Sequence, residues 1–196
     1  MTRFERILAC LAQALDRGAI PYMVIGGQAV MIHGRLRVTE DIDLTLGVDS
    51  AEATRVLTIL QEVGLRPLVE NPQQFVERTC ILPMWSEAER IRVDFAFSFT
   101  PYEHQAIARA EKRKESGYPV RFASAEDLII HKLFAGRPRD IEDIRGILAR
   151  KQGRVDRSYL RHWIRQFAQL EGKGHLLPQL EELLGEWPIA GETAPS

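Results

Sequence analysis

The chain has 196 residues, of which 45% are hydrophobic, and its 26 lysines and arginines nearly balance its 27 aspartates and glutamates. This length predicts one domain, or one domain with a small appendage. The sequence contains no apolar run long enough to span a bilayer, and the charged N-terminal segment does not resemble a signal peptide. The two cysteines lack metal-ligand spacing, which indicates reduced thiols and a cytoplasmic location.

The charge is distributed unevenly along the chain. Residues 105–165 carry 15 lysines and arginines against 8 aspartates and glutamates, whereas the segments on both sides are net acidic. A basic segment of this kind could contact a polyanion such as RNA or a triphosphate. It could equally be the solvated face of several helices, and charge alone favours that second interpretation.

The first third of the chain alternates between helical and strand patterns. Thr2 and Glu5 form a capping box, and the apolar residues that follow recur at helical spacing. The expected elements are a helix that ends at Gly18, a strand over 20–25, a short helix over 28–33, a strand over 41–46 and a helix from Asp49 or Ser50 to Gly64. We therefore expect a sheet with helices packed against it.

The remaining chain continues the mixture and then becomes helical. We expect one or two strands over 75–82, a turn over 85–90, a strand over 91–97, a helix over 101–110, a hairpin around Gly117, and helices over 124–135, 140–148, 155–170 and 176–184. The pattern predicts an α/β (α+β) fold, in which a small twisted mixed sheet is flanked by helices and followed by a helical C-terminal part. The expected domains are a core over 1–123, a helical part over 124–187 and a flexible tail over 188–196.

Three aspartates are candidates for a metal site. Side chains alternate between the two faces of a strand, so Asp41 and Asp43 share one face. Two neighbouring carboxylates repel each other unless a cation lies between them, and oxygen-only ligands suit Mg²⁺. Asp94 lies on the polar face of the strand over 91–97. Alone it would be read as a solvent-facing aspartate, but beside the other two we favour a third metal ligand.

The glycine pair Gly26-Gly27 precedes the Asp-x-Asp motif. Glycine lets a backbone approach a phosphate closely, and the helix that follows offers free N–H groups. The pair, the short helix, the lead-in Arg37-x-Thr39, the Asp-x-Asp and the later Asp94 together resemble the signature of the polymerase-beta-like nucleotidyltransferase superfamily. Within that superfamily the chain is most similar to the AbiEii-type minimal nucleotidyltransferases, many of them toxins of bacterial toxin–antitoxin pairs, and the resemblance covers roughly residues 5–150.

The resemblance implies an Mg²⁺-dependent enzyme that transfers a nucleoside monophosphate from an NTP to an acceptor hydroxyl and releases pyrophosphate. Asp41, Asp43 and Asp94 would hold the metal, with two ions expected. Gly26 and Gly27 would carry the triphosphate. Arg37 and Thr39 could orient the metal-bearing strand or reach a phosphate, and packing is at least as compatible with Thr39.

A second stretch, residues 124–148, also resembles this family. There, a lysine on one helix and aspartates at the start of the next flank the nucleotide. The matching positions here are Lys132, Arg139, Asp140 and Asp143. Lys132 could bind the triphosphate or be a surface lysine, and Asp140 could be an N-cap. Asp143 could accept a proton from the attacking hydroxyl, or pair with Arg139 or Arg145. The resemblance favours Lys132 and Asp143 as site residues without assigning their roles.

The sequence does not identify the acceptor. The resemblance implies tRNA 3′ ends or a protein side chain as acceptors, and an antitoxin protein as a possible partner, with no role for a membrane. Two alternatives come from other classes. One is a non-catalytic module of the same fold that binds nucleotides or a partner. The other is an antibiotic nucleotidyltransferase, which would need an acidic pocket for a cationic drug, whereas residues 105–165 are basic.

Overall fold

A computed structural model describes residues 2–34, 39–98 and 100–187, and this part of the chain contains nine α-helices and a seven-stranded sheet. The helices are α1 (Arg3–Arg17), α2 (Gly26–His33), α3 (Ala53–Glu62), α4 (Pro72–Thr79), α5 (Pro101–Arg109), α6 (Ala125–Ala135), α7 (Pro138–Lys151), α8 (Arg157–Phe167) and α9 (Leu176–Gly185). The strands are β1 (Tyr22–Ile25), β2 (Asp41–Leu46), β3 (Leu65–Pro67), β4 (Ile81–Ser86), β5 (Ile91–Phe97), β6 (Glu111–Glu115) and β7 (Tyr118–Phe122).

The sheet is mixed. Its strand order is β3-β4-β5-β2-β1-β7-β6. The pairs β2–β5 and β1–β7 are parallel, and the other neighbouring pairs are antiparallel. The expected mixed α/β fold with flanking helices is therefore confirmed.

Contacts between Cα atoms divide the chain into two compact units. The sheet unit comprises the described residues of 1–28 and 38–123, with the whole sheet and α1, α3, α4 and α5. The helical unit comprises the described residues of 29–37 and 124–196, with α6 to α9 and the later turns of α2. The expected flexible tail over 188–196 lies outside the described residues.

The core of the sheet unit follows from the alternation in its two central strands. Ile42 and Leu44 of β2, together with Val93 and Phe95 of β5, have at most 1% of their surface exposed. Burying side chains of this size stabilises a fold by about 1.5–3 kcal/mol each. α1 contributes a buried stripe at helical spacing, and its predicted Thr2–Glu5 capping box is present. One face of β2 and β5 therefore packs into the core, and their other face carries polar side chains.

The helical unit combines an apolar core with buried polar groups at a helix start. Ser124 caps α6, and its hydroxyl donates to Asp127 Oδ2 at 2.6 Å. Tyr159 of α8 donates its hydroxyl hydrogen to Asp127 Oδ1, also at 2.6 Å. These hydrogen bonds satisfy a carboxylate that has no exposed surface, and a buried carboxylate without such partners would be costly. Asp127 thus ties the start of α6 to α8.

The prediction of strands over 75–82 is largely wrong. Residues Pro72–Thr79 form α4, and β4 begins only at Ile81. The adjacent apolar residues Phe75 and Val76 suggested a strand, but the proline lies in the first turn, where its missing N–H is tolerated. Cys80 then ends the helix in the left-handed conformation, with φ of 55°. β4 also extends to Ser86, further into the expected turn.

Cys10 and Cys80 are both exposed and unbridged in the structure. None of the helices in the described ranges is both long and apolar enough to cross a membrane.

The burial of His131 in α6 should make the free energy of unfolding depend on pH. Its Nε2 has almost no accessible surface, and burial, assisted by the adjacent Lys132 charge, lowers the pKa of His131 to about 4. Between about pH 6.5 and pH 4, His131 binds a proton in the unfolded chain more readily than in the folded protein. The stability that comes from the neutral ring is therefore present above about pH 6.5 and is lost as the pH falls. We expect the free energy of unfolding to drop by about 2–3 kcal/mol from this residue between pH 7 and pH 4.5.

Urea unfolding at the two pH values measures this effect. His131→Asn should lose less stability on acidification than the wild type, whereas the change at exposed His104 (His104→Asn) should behave like the wild type. Equal losses in wild type and His131→Asn would contradict the assignment.

Candidate active site

β2 and β5 place four charged side chains together on one face of the sheet. In this parallel pair Asp43 is in register with Asp94, and Asp41 is in register with Arg92. Adjacent strands lie about 4.8 Å apart, and residues two apart on a strand point to the same side. We call this group of Asp41, Asp43, Arg92 and Asp94 the acidic face. The three carboxylates proposed from the sequence therefore lie side by side, on the face opposite the apolar core.

The glycine pair makes room for side chains of this site. Gly26 has φ of +66°, and a Cβ there would lie 1.9 Å from Asp43 Oδ2. A Cβ on Gly27 would lie 2.7 Å from Thr39 Oγ1. Because α2 begins at Gly26, the Asp43 carboxylate lies at the positive end of that helix, where a negative charge is favoured. Contact between the glycines and a phosphate remains a prediction.

Thr39 orients one of the carboxylates. Its hydroxyl lies 2.9 Å from Asp41 Oδ1, within hydrogen-bonding distance. Asp41 is an acceptor in this bond, so the threonine restricts the side chain without blocking its second oxygen. This contact supports an orienting role for Thr39. The other lead-in residue, Arg37, lies outside the described residues.

Arg92 is a member of the site that we did not predict. Its Nε donates to both carboxylate oxygens of Asp94, at 2.9 and 3.1 Å. The hydrogen bond to Asp94 raises the pKa of Arg92; burial opposes this, and the charges of Asp94, Asp41 and Asp43 raise that pKa further. The guanidinium therefore lies in the field of all three carboxylates. The spacing Arg92-x-Asp94 in an alternating strand was the available signal, because it puts both charges on one face.

Asp41, Asp43 and Asp94 have the right chemistry for a hard divalent cation, since their ligand atoms are carboxylate oxygens. However, within residues 2–34, 39–98 and 100–187, the structure gathers no group of three or more His, Cys, Asp or Glu side chains that could hold a metal ion. Asp94 is instead paired with Arg92, and Asp41 accepts from Thr39. The three carboxylates share a face, but their present side-chain positions do not form a closed coordination sphere.

The second group of predicted residues forms a buried ion-pair network in the helical unit. Lys132 Nζ lies 2.8 Å from Asp140 Oδ1 and 3.0 Å from Asp143 Oδ2. The three side chains are between 1% and 7% exposed, so Lys132 is not a surface lysine. Arg137 also donates to Asp140 Oδ2. Burial alone would raise the pKa of Asp140, but the hydrogen bonds from Arg137 and Lys132 lower it below its usual value.

Asp140 is not an N-cap. α7 begins at Pro138 with Arg137 in the capping position, and Asp140 is the third helical residue, where it accepts from the Arg137 backbone N–H. Arg145, one of the partners considered for Asp143, pairs with Glu186 at 2.9 Å. The network thus joins α6 and α7 through one lysine and two carboxylates.

The sequence profile of a family described as "nucleotidyltransferase of unknown function (DUF6036)" matches residues 2–170. No curated protein matches the chain.

Several solved structures have a similar fold. An antigenic nucleotidyltransferase-like protein from Paracoccidioides brasiliensis is 18% identical, with a TM-score of 0.55 over 92% of this chain and 91% of that one. ANT(2")-Ia in complex with adenylyl-2"-tobramycin is 20% identical, with a TM-score of 0.53 over 76% of this chain and 89% of that one. At these identities the similarity establishes the fold, and the expected nucleotidyltransferase fold is confirmed.

The contact between Gly26 and Asp43 can be tested against a glycine of the same conformation. Gly136 also has φ of +66°, but the nearest atom to a Cβ there is 3.6 Å away. Gly136→Ala should cost about 1 kcal/mol of unfolding free energy from backbone strain alone. Gly26→Ala should cost roughly 2–4 kcal/mol, because the added methyl also displaces the Asp43 carboxylate. Urea unfolding measures both, and equal costs would show that Asp43 does not occupy the space.

The buried network predicts a large loss of stability when its cation is removed. Lys132→Met removes the cation that lies between two buried carboxylates, of which Asp140 keeps its bond from Arg137, and should cost about 3–5 kcal/mol. The change at exposed Lys112 (Lys112→Met) is the matched control and should cost little. Adding Asp140→Asn and Asp143→Asn to Lys132→Met should recover much of the loss. A Lys132→Met protein as stable as the control would contradict the network.

Proposed function

Because the chain belongs to the DUF6036 family of nucleotidyltransferases, we propose that it transfers a nucleoside monophosphate from an NTP to a hydroxyl of an acceptor. One observation carries the proposal: the β2–β5 register aligns Asp41, Asp43 and Asp94 on the open face of the sheet, beside the Gly26 turn. In the reaction, the acceptor oxygen bonds to the α-phosphorus, the bond between the α- and β-phosphates breaks, and pyrophosphate leaves.

We infer that Asp41, Asp43 and Asp94 hold divalent cations, with Mg²⁺ as the natural candidate for an all-oxygen set and two ions as the expected number. The Arg92 guanidinium is paired with Asp94 on this face, so a metal ion that uses Asp94 has to displace it. When bound, the metal would stabilise the attacking and leaving oxygens. Thr39 holds Asp41 in position for this role.

The triphosphate is proposed to lie at Gly26 and Gly27. α2 begins there, so the backbone N–H groups of its first turn are available to an anion. Arg37, Lys132 and Asp143 enter the proposal through the family resemblance, the first two as phosphate ligands and Asp143 as proton acceptor. The variant with Lys132→Met, Asp140→Asn and Asp143→Asn separates a catalytic contribution from the ion-pair network, because it removes the charges while keeping much of the stability.

RNA, including tRNA 3′ ends, and protein side chains are the proposed acceptors. The basis for preferring them to an aminoglycoside is the basic segment over 105–165, because a cationic drug would need an acidic pocket. The similar fold of ANT(2")-Ia makes the drug a necessary second candidate in any assay. Blocking tRNA 3′ ends would prevent aminoacylation, which is how a toxin role, with an antitoxin as partner, would follow from this activity.

The carboxylates provide the direct test of the proposed activity. We expect the double change Asp41→Asn and Asp43→Asn to lower transfer of label from an α-labelled NTP by a factor of about 10³ or more, because the groups that hold the metal are lost. Stability should change little, because relief of the repulsion between the two carboxylates offsets the loss of a negative charge at the start of α2. The measurement offers total RNA, a protein extract and an aminoglycoside as acceptors, each with the four NTPs and Mg²⁺.

The double change Glu62→Gln and Glu77→Gln is the matched control, because it alters the net charge equally at exposed positions. Label in RNA or protein supports the preferred acceptors, and label on the drug supports the second candidate. Undiminished transfer by a folded double mutant of the two aspartates would falsify the proposed site.

A further inference from the structure

The acidic face contains one group that the proposed chemistry does not use. Arg92 is in register with Asp41, and its Nε lies within 3.1 Å of both oxygens of Asp94. It is thus a cation placed among the three carboxylates that are proposed to bind metal. A structural surface ion pair is the simplest explanation of this contact, but such a pair does not require Asp41 and Asp43 on the same face of the sheet.

We propose that Arg92 is the resident counter-cation of the acidic face. Its guanidinium neutralises Asp94 in the metal-free protein, and a divalent cation replaces the guanidinium at Asp94 when nucleotide binds. The guanidinium then contacts the triphosphate or the departing pyrophosphate. This inference rests on the proposed function, because it assumes that metal and nucleotide meet at the acidic face.

The geometry of the ion pair permits this exchange. The Arg92 side chain is 52% exposed, whereas that of Asp94 is 22% exposed, so the guanidinium lies on the solvent side of the carboxylate. Both hydrogen bonds to Asp94 come from Nε, and no other described residue accepts from the terminal nitrogens of Arg92. An exposed pair held in this way is weak and can be broken without burying a charge. The planar guanidinium fork is in turn well suited to phosphate oxygens.

Charge balance gives the exchange a direction. Three carboxylates and one guanidinium leave the acidic face net negative, so a divalent cation is still attracted, but Arg92 competes with it for Asp94. A bound triphosphate would offer Arg92 a new anionic partner and release Asp94. Arg92 therefore weakens metal binding in the free protein, and bound nucleotide relieves this competition. Metal and nucleotide should then bind with positive cooperativity.

The test compares Mn²⁺ binding in wild type and in Arg92→Gln, measured by the electron paramagnetic resonance signal of free Mn²⁺. Without nucleotide, Arg92→Gln should bind Mn²⁺ about tenfold more tightly, because a competing cation is removed. At saturating Mn²⁺, the same variant should bind a non-hydrolysable NTP about tenfold more weakly, because a phosphate contact is lost. Arg92→Lys, which keeps the charge, should stay close to wild type in Mn²⁺ affinity.

Arg66→Gln is the matched control. Arg66 is a similarly exposed arginine of β3 that pairs with Glu87 at 2.6 Å, and its loss should leave Mn²⁺ affinity unchanged. If wild type binds Mn²⁺ and NTP but Arg92→Gln binds Mn²⁺ no more tightly, Arg92 is a surface ion pair and this inference fails while the proposed function stands. If neither protein binds Mn²⁺ with or without NTP, both proposals fail.

Discussion

The parallel pairing of β2 with β5 is the constraint on which the rest of the site depends. It sets Asp43 beside Asp94 and Asp41 beside Arg92, while Leu44 and Phe95 are in register on the buried side. A shift of one residue in this register would move carboxylates into the core, so the burial of the apolar side chains fixes the position of the acids. Each buried side chain contributes about 1.5–3 kcal/mol, which exceeds the repulsion expected between partly exposed carboxylates.

Two clusters of carboxylates in the described structure differ in burial. In the helical unit, Lys132 lies between Asp140 and Asp143, and all three side chains are almost fully buried. Such a network is costly to open, because breaking it leaves charge in a poorly solvated interior. On the acidic face, the Arg92–Asp94 pair is partly exposed and therefore exchangeable. The second arrangement therefore suits a site whose cation changes with its ligands.

Much of the fold and the central strands could be predicted because their signals are local. The alternation over 41–46 and 91–97 gives both strands their observed bounds, and the glycine pair marks the turn between β1 and α2. α4 was missed because a two-turn helix has too few residues for a clear period. The contact of Gly26 with Asp43 and the pairing of Lys132 with Asp143 depend on tertiary packing, which spacing alone does not encode. The alternation places Arg92 on the same face as Asp94, but their hydrogen bonds depend on side-chain conformations that the pattern does not specify.

The central claim is that divalent metal binds on the face shared by β2 and β5. Paramagnetic broadening of assigned backbone amide signals by Mn²⁺, in the presence of a non-hydrolysable NTP, locates the ion directly. The account predicts that broadening is centred on the amides of Gly26 and Gly27, residues 41–44 and residues 92–95, and that it disappears when excess Mg²⁺ is added. Broadening centred elsewhere, or spread evenly over exposed carboxylates, would contradict it.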